Sequence, residues 1–432
     1  MPACPALLIS GPASGQGKTT VTAGLAQLHR QLGRKVRVFK TGPDFLDPMI
    51  LERASGAQVQ SLDLWMVGED GCRRLLAEAA EQADLILIEG VMGLFDGTPS
   101  SADLAARFGV PVAAVISAQA MAQTFGALSF GLAHYRADVS IYGVLANHVG
   151  SPRHAGMLEE SVPSDIRWLG HLCRSDRITL PERHLGLHQA GEIDELDARI
   201  EFTARALADT ALAELPPPMF FEPQAPLALP KSLDGVQIAL ARDAAFSFVF
   251  PANVELLGTL GARVTYFSPL ANEAVPEATD ALFLPGGYPE LHAATLAANA
   301  RSAASIRAHA AAGKPIVAEC GGMLYLLESL TDAKGVRTAM IGLLPGHATM
   351  HEKLRGLGMQ ALRSEHGVMT GHTFHYSSMA TDLIPERHAY RPQSDADGEP
   401  VFRVGSIVAT YMHGYWPSNP ALAAALLTGK AF

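Results

Sequence analysis

Short apolar runs recur along this chain, each closing on glycine, proline or a polar residue and each leading into a helical pattern. Runs at 6–10, 36–40, 85–89, 112–117 and 141–147 read as buried strands, while 19–32 and 71–82 carry helical spacing. A strand that hands over to a helix and then to another strand requires a crossover. Such crossovers are right-handed and lay the strands parallel. The alternation therefore predicts an α/β fold around a mostly parallel sheet.

The pattern changes after residue 190. Residues 190–210 read as an acidic helix, and the stretch from Leu215 to Pro230 is crowded with proline. Proline there can continue neither a helix nor a central strand, so the stretch reads as a stiff linker. A second alternating region starts near Val236 and runs through 263–267, 281–284, 315–318 and 407–411. The expectation is a domain over 1–195, a linker over 196–233 and a second domain over 234–432. With 48% hydrophobic and 18% charged residues, the chain has material for sizeable cores and is too apolar to be disordered.

Lys plus Arg number 33 against 43 Asp plus Glu, a formal charge of −10. That balance argues against coating nucleic acid or an anionic membrane, yet it leaves room for a local phosphate site. Cys4, Cys72, Cys173 and Cys320 are scattered with no C-x-x-C pair, as in a reduced cytoplasmic protein. The opening MPACPALLISG has no basic residue before its apolar run and makes a poor signal peptide. The most apolar stretch, 110–122, is interrupted by Ser117 and Gln119 and is too short to span a membrane.

The first strand runs into Gly11-Pro12-Ala13-Ser14-Gly15-Gln16-Gly17-Lys18-Thr19-Thr20 and then a helix. Glycines let backbone N–H groups wrap a phosphate, and the helix start adds free donors and a positive dipole end. Lys18 can reach the β and γ phosphates and the Thr19 hydroxyl can ligate Mg²⁺. The first glycine of the usual spacing would fall at Pro12, so the loop is a variant. The next two strands end in KTGPDFLDP, with Asp44 and Asp47, and EGVMGLFDG, with Glu89 and Asp96. Ligands of open parallel sheets sit beyond these strand ends, and a nucleotide-bound Mg²⁺ needs one or two carboxylates. Each Asp could instead cap a turn or helix. Glu89 differs, because a Glu closing an apolar strand is expensive to bury unpaired and a bound metal would account for it.

In the second half, strands end at Pro285-Gly286-Gly287 and at Glu319-Cys320-Gly321-Gly322. Cys320 falls where a strand meets a helix, a turn expected to expose the thiol while the helix start lowers its pKa. The Gly287 and Gly321 N–H groups could hold an oxyanion, and His413 at a third strand end is a candidate base. Cys4, Cys72 and Cys173 read as structural. His347 and His351 could share a helix face as zinc ligands, but no third ligand clusters with them. His184 with His188, and His366 with His372, are weaker pairs.

The motifs SGQGKTT, KTGPDFLDP, EGVMGLFDG, LANHVGSPRH, LPERHLGL, AECGGMLYL, GHTFHYS and HGYW, in that order, resemble the cobyrinate or hydrogenobyrinate a,c-diamide synthases over nearly the full length. The resemblance implies an N-terminal P-loop ligase domain similar to dethiobiotin synthetase and a C-terminal, flavodoxin-like class I glutamine amidotransferase domain. It implies a Cys320 nucleophile sharpened by His413, with Gly287 and Gly321 as oxyanion hole. It further implies ATP bound by Ser14, Gly15, Gln16, Gly17, Lys18, Thr19, Thr20 and Asn147. Mg²⁺ would lie at Thr19, Asp47 and Glu89, with Asp47, Glu89 and Asp96 catalytic and His375 and Tyr376 shaping a surface. The partners implied are a corrin, ATP and glutamine, with no nucleic acid and no membrane; homo-oligomerisation stays open. Tyr415 stands where many class I amidotransferases carry Glu, which implies a Cys–His dyad, as is usual for the cobyrinate branch; Thr373, for a Glu in GHEFHYS, and Ser117, for an expected Asp, depart from the expected pattern. Two other readings are the same chemistry on sirohydrochlorin, and a P-loop regulatory ATPase carrying a degenerate amidotransferase module.

Overall fold

Successive side chains of a strand point to opposite faces of its sheet, and that parity layers both halves of the protein. The computed structural model describes residues 2–183, 186–187, 189–225 and 227–432. It divides into two units, Met1–Pro226 and Leu227–Phe432.

In the first unit, strands β1 (Ala3–Ser10), β2 (Val36–Lys40), β3 (Gln60–Ser61), β4 (Leu85–Glu89), β5 (Val112–Ser117), β6 (Ile141–Val149) and β7 (Trp168–Cys173) form a parallel sheet in the order β3-β2-β4-β1-β5-β6-β7. The helices are α1 (Lys18–Gln31), α2 (Leu46–Ser55), α3 (Glu69–Gln82), α4 (Ser101–Phe108), α5 (Thr124–His134), α6 (Pro152–Ser161) and α7 (Leu196–Ala208). Leu7, Ile9, Val36, Val38, Leu85 and Leu87 meet Val21, Leu25, Ile50, Ile200 and Leu207 from α1, α2 and α7. Ala6, Leu8, Ile86, Ile88 and Ile116 meet Leu76, Leu104, Phe125 and Leu158 from α3 to α6. Each large aliphatic side chain so buried stabilises the fold by about 1.5–3 kcal/mol before chain entropy is counted.

The expected linker over 196–233 is corrected in part. Helix α7 lies inside that range yet buries Leu196, Ile200, Ala204 and Leu207 in the first unit's core. A two-residue ribbon, β8 (Glu182–Arg183) with β9 (Gly186–Leu187), precedes it. Strand β10 (Pro218–Phe220) then pairs antiparallel with the start of β1, Ala3 opposite Phe220, and Phe221 enters the core beside it. His184 and His188 lie outside the described residues.

The second unit has a sheet whose parallel part, in spatial order, is β12 (Arg263–Phe267), β11 (Gln237–Ala241), β13 (Ala281–Leu284), β14 (Ile316–Glu319) and β23 (Ile407–Thr410). It continues antiparallel through β22 (Asp397–Val404), β21 (Arg387–Tyr390), β18 (Gly356–Ser364), β19 (Gly367–His375) and β24 (His413–Gly414). A smaller sheet holds β16 (Arg337–Ala339), β15 (Leu327–Thr331), β17 (Leu344–Met350) and β20 (Ser377–Ala380). The helices are α8 (Pro251–Thr259), α9 (Ala293–Ala298), α10 (Ala300–Ala311), α11 (Gly321–Leu326) and α12 (Pro420–Leu427). Ala239, Leu282, Ile316 and Ala318 face one core, and Ile238, Leu240, Phe283 and Val317 face the other with Trp416 and Leu422. Both units are thus α/β. Among the described residues no helix is long and apolar enough to cross a membrane.

Candidate active sites

The phosphate loop joins β1 to α1, and close approach dictates two of its glycines. A Cβ at Gly11 would lie 2.4 Å from the Val115 carbonyl oxygen, and one at Gly17, whose φ is 87°, would lie 2.1 Å from Asn147 Nδ2. Asn147 Nδ2 donates to the Gln16 carbonyl at 2.9 Å, and Gln16 Oε1 accepts the Ser117 N–H at 2.8 Å. Asn147 and Gln16 therefore brace the loop from β6 and β5. Ser117, at the position expected to be Asp, meets His148 Nδ1 through its hydroxyl at 2.9 Å. Ser14, Gly15, Gly17, Lys18, Thr19 and Thr20 line an open cavity of about 640 Å³. Lys40, Asp44, Asp47 and Glu89 line it too, as do His148, Arg174 and Asp176.

Parity also builds the acidic centre. Lys40 prolongs the Val36–Val38 stripe and Glu89 the Leu85–Leu87 stripe, so both point to the face that carries α1 and α2, side by side in register. Thr19 Oγ1 donates to Glu89 Oε1 at 2.7 Å. Lys40 Nζ lies 3.4 Å from Asp47, 3.9 Å from Asp44 and 4.0 Å from Glu89, with its side chain only 2% exposed. Burial opposes the Lys40 charge, but Glu89, Asp47 and Asp44 outweigh it and hold its pKa above the usual value. Burial pushes Glu89 up, and burial with the Glu89 charge pushes Asp47 up. Burial lowers Lys18, whose ammonium donates to the Ala13 carbonyl at 2.9 Å. Lys40 went unrecognised in the sequence; a lysine closing the apolar run VRVFK was the available signal.

Glu89 Oε2 is buried without a hydrogen-bond partner. An orphaned carboxylate oxygen beside a threonine hydroxyl is a hard-oxygen donor set that fits Mg²⁺. Among the described residues no group of three or more His, Cys, Asp or Glu could hold a metal ion. Nucleotide oxygens would have to complete the shell.

In the second unit Cys320 stands between β14 and α11 at φ 42° and ψ −108°, a strained backbone for a residue with a Cβ. A Cβ at Gly321 would lie 2.9 Å from the Gly287 nitrogen, and one at Gly322 would lie 2.0 Å from the Leu284 carbonyl. A Cβ at Gly286 would lie 2.3 Å from His413 Cε1. The Gly286–Gly287 turn thus touches both the His413 ring and the residue after the thiol. The Gly321 N–H favours the thiolate form of Cys320. The expected lowering of the thiol pKa is corrected: burial, and then the Glu290 carboxylate, push it up and override the Gly321 N–H. His413 stacks on His372 at 5.0 Å, and burial followed by His375 brings its pKa down to about 3.

Residues 7–187 match the CobQ/CobB/MinD/ParA nucleotide binding domain, and 237–421 match the CobB/CobQ-like glutamine amidotransferase domain. A hydrogenobyrinate a,c-diamide synthase of Pseudomonas aeruginosa is 58% identical, over 98% of this chain and 97% of its own length. The chain belongs to the cobyrinate and hydrogenobyrinate a,c-diamide synthase family. A hydrogenobyrinate a,c-diamide synthase of Stutzerimonas stutzeri is 57% identical over 98% of each chain. A cobyrinate a,c-diamide synthase of Herminiimonas arsenicoxydans is 49% identical over 98% of this chain and 96% of its own.

Other residues picked out by the family motifs occupy less central places. Asp96 Oδ2 accepts the Gly93 N–H at 2.9 Å and caps its own turn, although its charge reaches Lys18. Asp44 Oδ1 accepts the Leu46 N–H at 2.8 Å at the start of α2. Thr373 Oγ1 donates to Glu399 at 3.0 Å, and Glu399 also meets His375 Nε2 at 3.2 Å. The Tyr376 ring contacts Phe374, 5.6 Å between centroids. Tyr415 packs edge-on against Phe250, so the carboxylate of other class I amidotransferases gives way to an apolar contact.

The histidine pairs and the remaining thiols settle elsewhere. His347 lies in strand β17 and meets Ser329 at 3.0 Å, while His351 meets Ser378 at 2.7 Å; they do not share a helix face. His366 meets the Lys430 carbonyl at 3.3 Å, far from the His372 stack. Cys4 and Cys72 are buried, but Cys173 is exposed at the end of edge strand β7, which corrects its structural reading.

Proposed function

We propose that this protein is a glutamine-hydrolysing, ATP-dependent ligase that amidates the a and c carboxylates of hydrogenobyrinate. The observation that carries this reading is 58% identity with a hydrogenobyrinate a,c-diamide synthase across 98% of the chain, both domains included. The relative named for cobyrinate, at 49%, favours a second reading in which the ring already holds cobalt. Family membership sets aside the sirohydrochlorin and regulatory-ATPase readings.

In the amidotransferase unit the Cys320 thiol attacks the glutamine carboxamide while His413, neutral because buried, takes its proton. The oxygen that becomes negative is met by the Gly287 and Gly321 N–H groups. The proton passes from His413 to the leaving nitrogen, ammonia departs, and water hydrolyses the thioester to glutamate.

In the ligase unit the cavity takes ATP and a substrate carboxylate. The loop N–H groups hold the phosphates, and Lys18 exchanges the Ala13 carbonyl for a phosphate oxygen. Thr19, Asp47 and Glu89, with nucleotide oxygens, would hold Mg²⁺, which neutralises charge on the phosphates. The substrate carboxylate oxygen attacks the γ-phosphorus in line, ADP leaves, and an acyl phosphate forms. Lys40, kept cationic by three carboxylates, faces that carboxylate and stabilises the charge spread over the transferring group. Asp96 acts on Lys18 through its field. Ammonia then displaces phosphate to give the amide.

Product mass after incubation with hydrogenobyrinate or cobyrinate, Mg-ATP and glutamine tests the assignment. Two amides gained on hydrogenobyrinate are expected; none on either ring would overturn it. Glu89→Gln should abolish amidation and leave glutamine hydrolysis intact, and unchanged amidation would remove Glu89 from the phosphoryl-transfer site.

A further inference from the structure

The class I position that orients the catalytic histidine is occupied here by Tyr415, which packs on Phe250. His413 itself sits on a strand of two residues, β24, which pairs with β19. So short a ladder leaves most of the segment's register to other contacts.

Those contacts converge on the next residue. Glu319, the last residue of β14, shares the parity of Val317 and points to the core that contains Trp416. Its Oε1 accepts the Gly414 N–H at 3.1 Å and the Trp416 Nε1–H at 3.3 Å. From the other side Asn253, on α8, donates through Nδ2 to the Gly414 carbonyl at 2.9 Å and accepts the Trp416 N–H at 2.9 Å. Both side chains are buried, Asn253 at 2% and Glu319 at 5% exposure. Two buried side chains therefore take both backbone groups of Gly414, the residue that follows His413. One of them is the immediate neighbour of Cys320.

We propose that Glu319 and Asn253 are positioning residues, a clamp on the Gly414 peptide that fixes His413 relative to Cys320 where this chain lacks an orienting carboxylate at 415. The proposal rests on Cys320 and His413 being the glutaminase pair. Loss of either clamp residue would also leave buried donors or acceptors without partners, which the chain relieves by shifting the segment that carries the histidine. Glu319 acts here as an acceptor: burial raises its pKa to about 8, so near neutrality it is largely an uncharged acid that glutamine can imitate.

Steady-state glutaminase kinetics of Glu319→Ala, Asn253→Ala and Glu319→Gln test the clamp, with ammonium-chloride-driven amidation as the measure of an intact ligase unit. Each alanine variant should lose about 10- to 100-fold in kcat for glutamine hydrolysis, the scale of an ångström misplacement, with KM for glutamine within about twofold. Ammonium-driven amidation should persist, and Glu319→Gln should recover kcat to within about threefold of the parent, since its side-chain oxygen keeps both bonds. The proposal is overturned if the alanine variants keep kcat, if the loss falls on KM alone, or if glutamine at 319 rescues nothing. Should Glu319→Ala lose ammonium-driven amidation as well, Asn253→Ala decides by the same criteria. Cys320→Ala separates the two levels: undiminished glutamine hydrolysis there refutes the pair itself, whereas its loss with unaffected clamp variants refutes only the clamp.

Discussion

At the scale of single residues, burial decides protonation more than neighbouring dipoles do. Glu319 is raised from an ordinary 4.5 to about 8 by loss of water. Between those values the unfolded chain releases a proton that the folded one keeps, so this group's contribution makes stability fall as pH rises from about 4.5 to about 8. Glu319→Gln removes that penalty. Its melting temperature relative to the parent should climb from pH 5 to pH 8 in thermal unfolding, and a pH-independent difference would place the titration elsewhere. His413 works oppositely: lowered to about 3, it makes the fold lose stability as pH drops below its ordinary 6.5. Some of this was legible in the sequence. Lys18 and Thr19 follow from loop spacing, and Cys320 from its double glycine. Lys40, Glu319 and Asn253 were not, because their meaning comes from the face of the strand or helix they occupy and from distant partners, Glu89 for Lys40 and Gly414 and Trp416 for the other two. The direction of the Cys320 shift was illegible for the same reason, since a motif does not reveal depth.

At the scale of elements, helix α5 offers a paired test of close packing. Glycine in a helix costs about 1 kcal/mol relative to alanine, so Gly→Ala is stabilising where space is open. Gly131 has nothing within 4 Å of its virtual Cβ. The virtual Cβ of Gly126, by contrast, lies 1.9 Å from the Ser161 carbonyl at the end of α6. Gly131→Ala should raise stability by about 0.5–1 kcal/mol in urea denaturation, while Gly126→Ala should lower it by about 1–3 kcal/mol as α5 is forced off α6. Equal effects would mean that the two helices are not in contact at Gly126. The alternation of strands and helices was readable because parity and helical spacing are local properties. The docking of α7 and β10 on the first unit was not, because a proline-crowded stretch looks the same whether it wanders or lies against a neighbour.

At the scale of the whole molecule, the boundary between units gives an expected cleavage pattern. Residues 222–225 and 227–232 are exposed or half-exposed, and β10 ends just before them. Limited digestion with trypsin should cut early after Lys231, giving 1–231 and 232–432 by mass spectrometry; earlier cleavage after Arg199 or Arg205 would contradict the packing of α7. In the function proposed above one chain carries a site that generates ammonia and a site that uses it, and the raised thiol pKa of the first has a consequence outside catalysis. Peroxides and alkylating agents react with thiolates, and sulfenic acid formation is the first step of damage to a cysteine enzyme. Burial and the Glu290 carboxylate disfavour the Cys320 thiolate and withdraw its sulfur from such reagents, whereas Cys173 stands exposed to them.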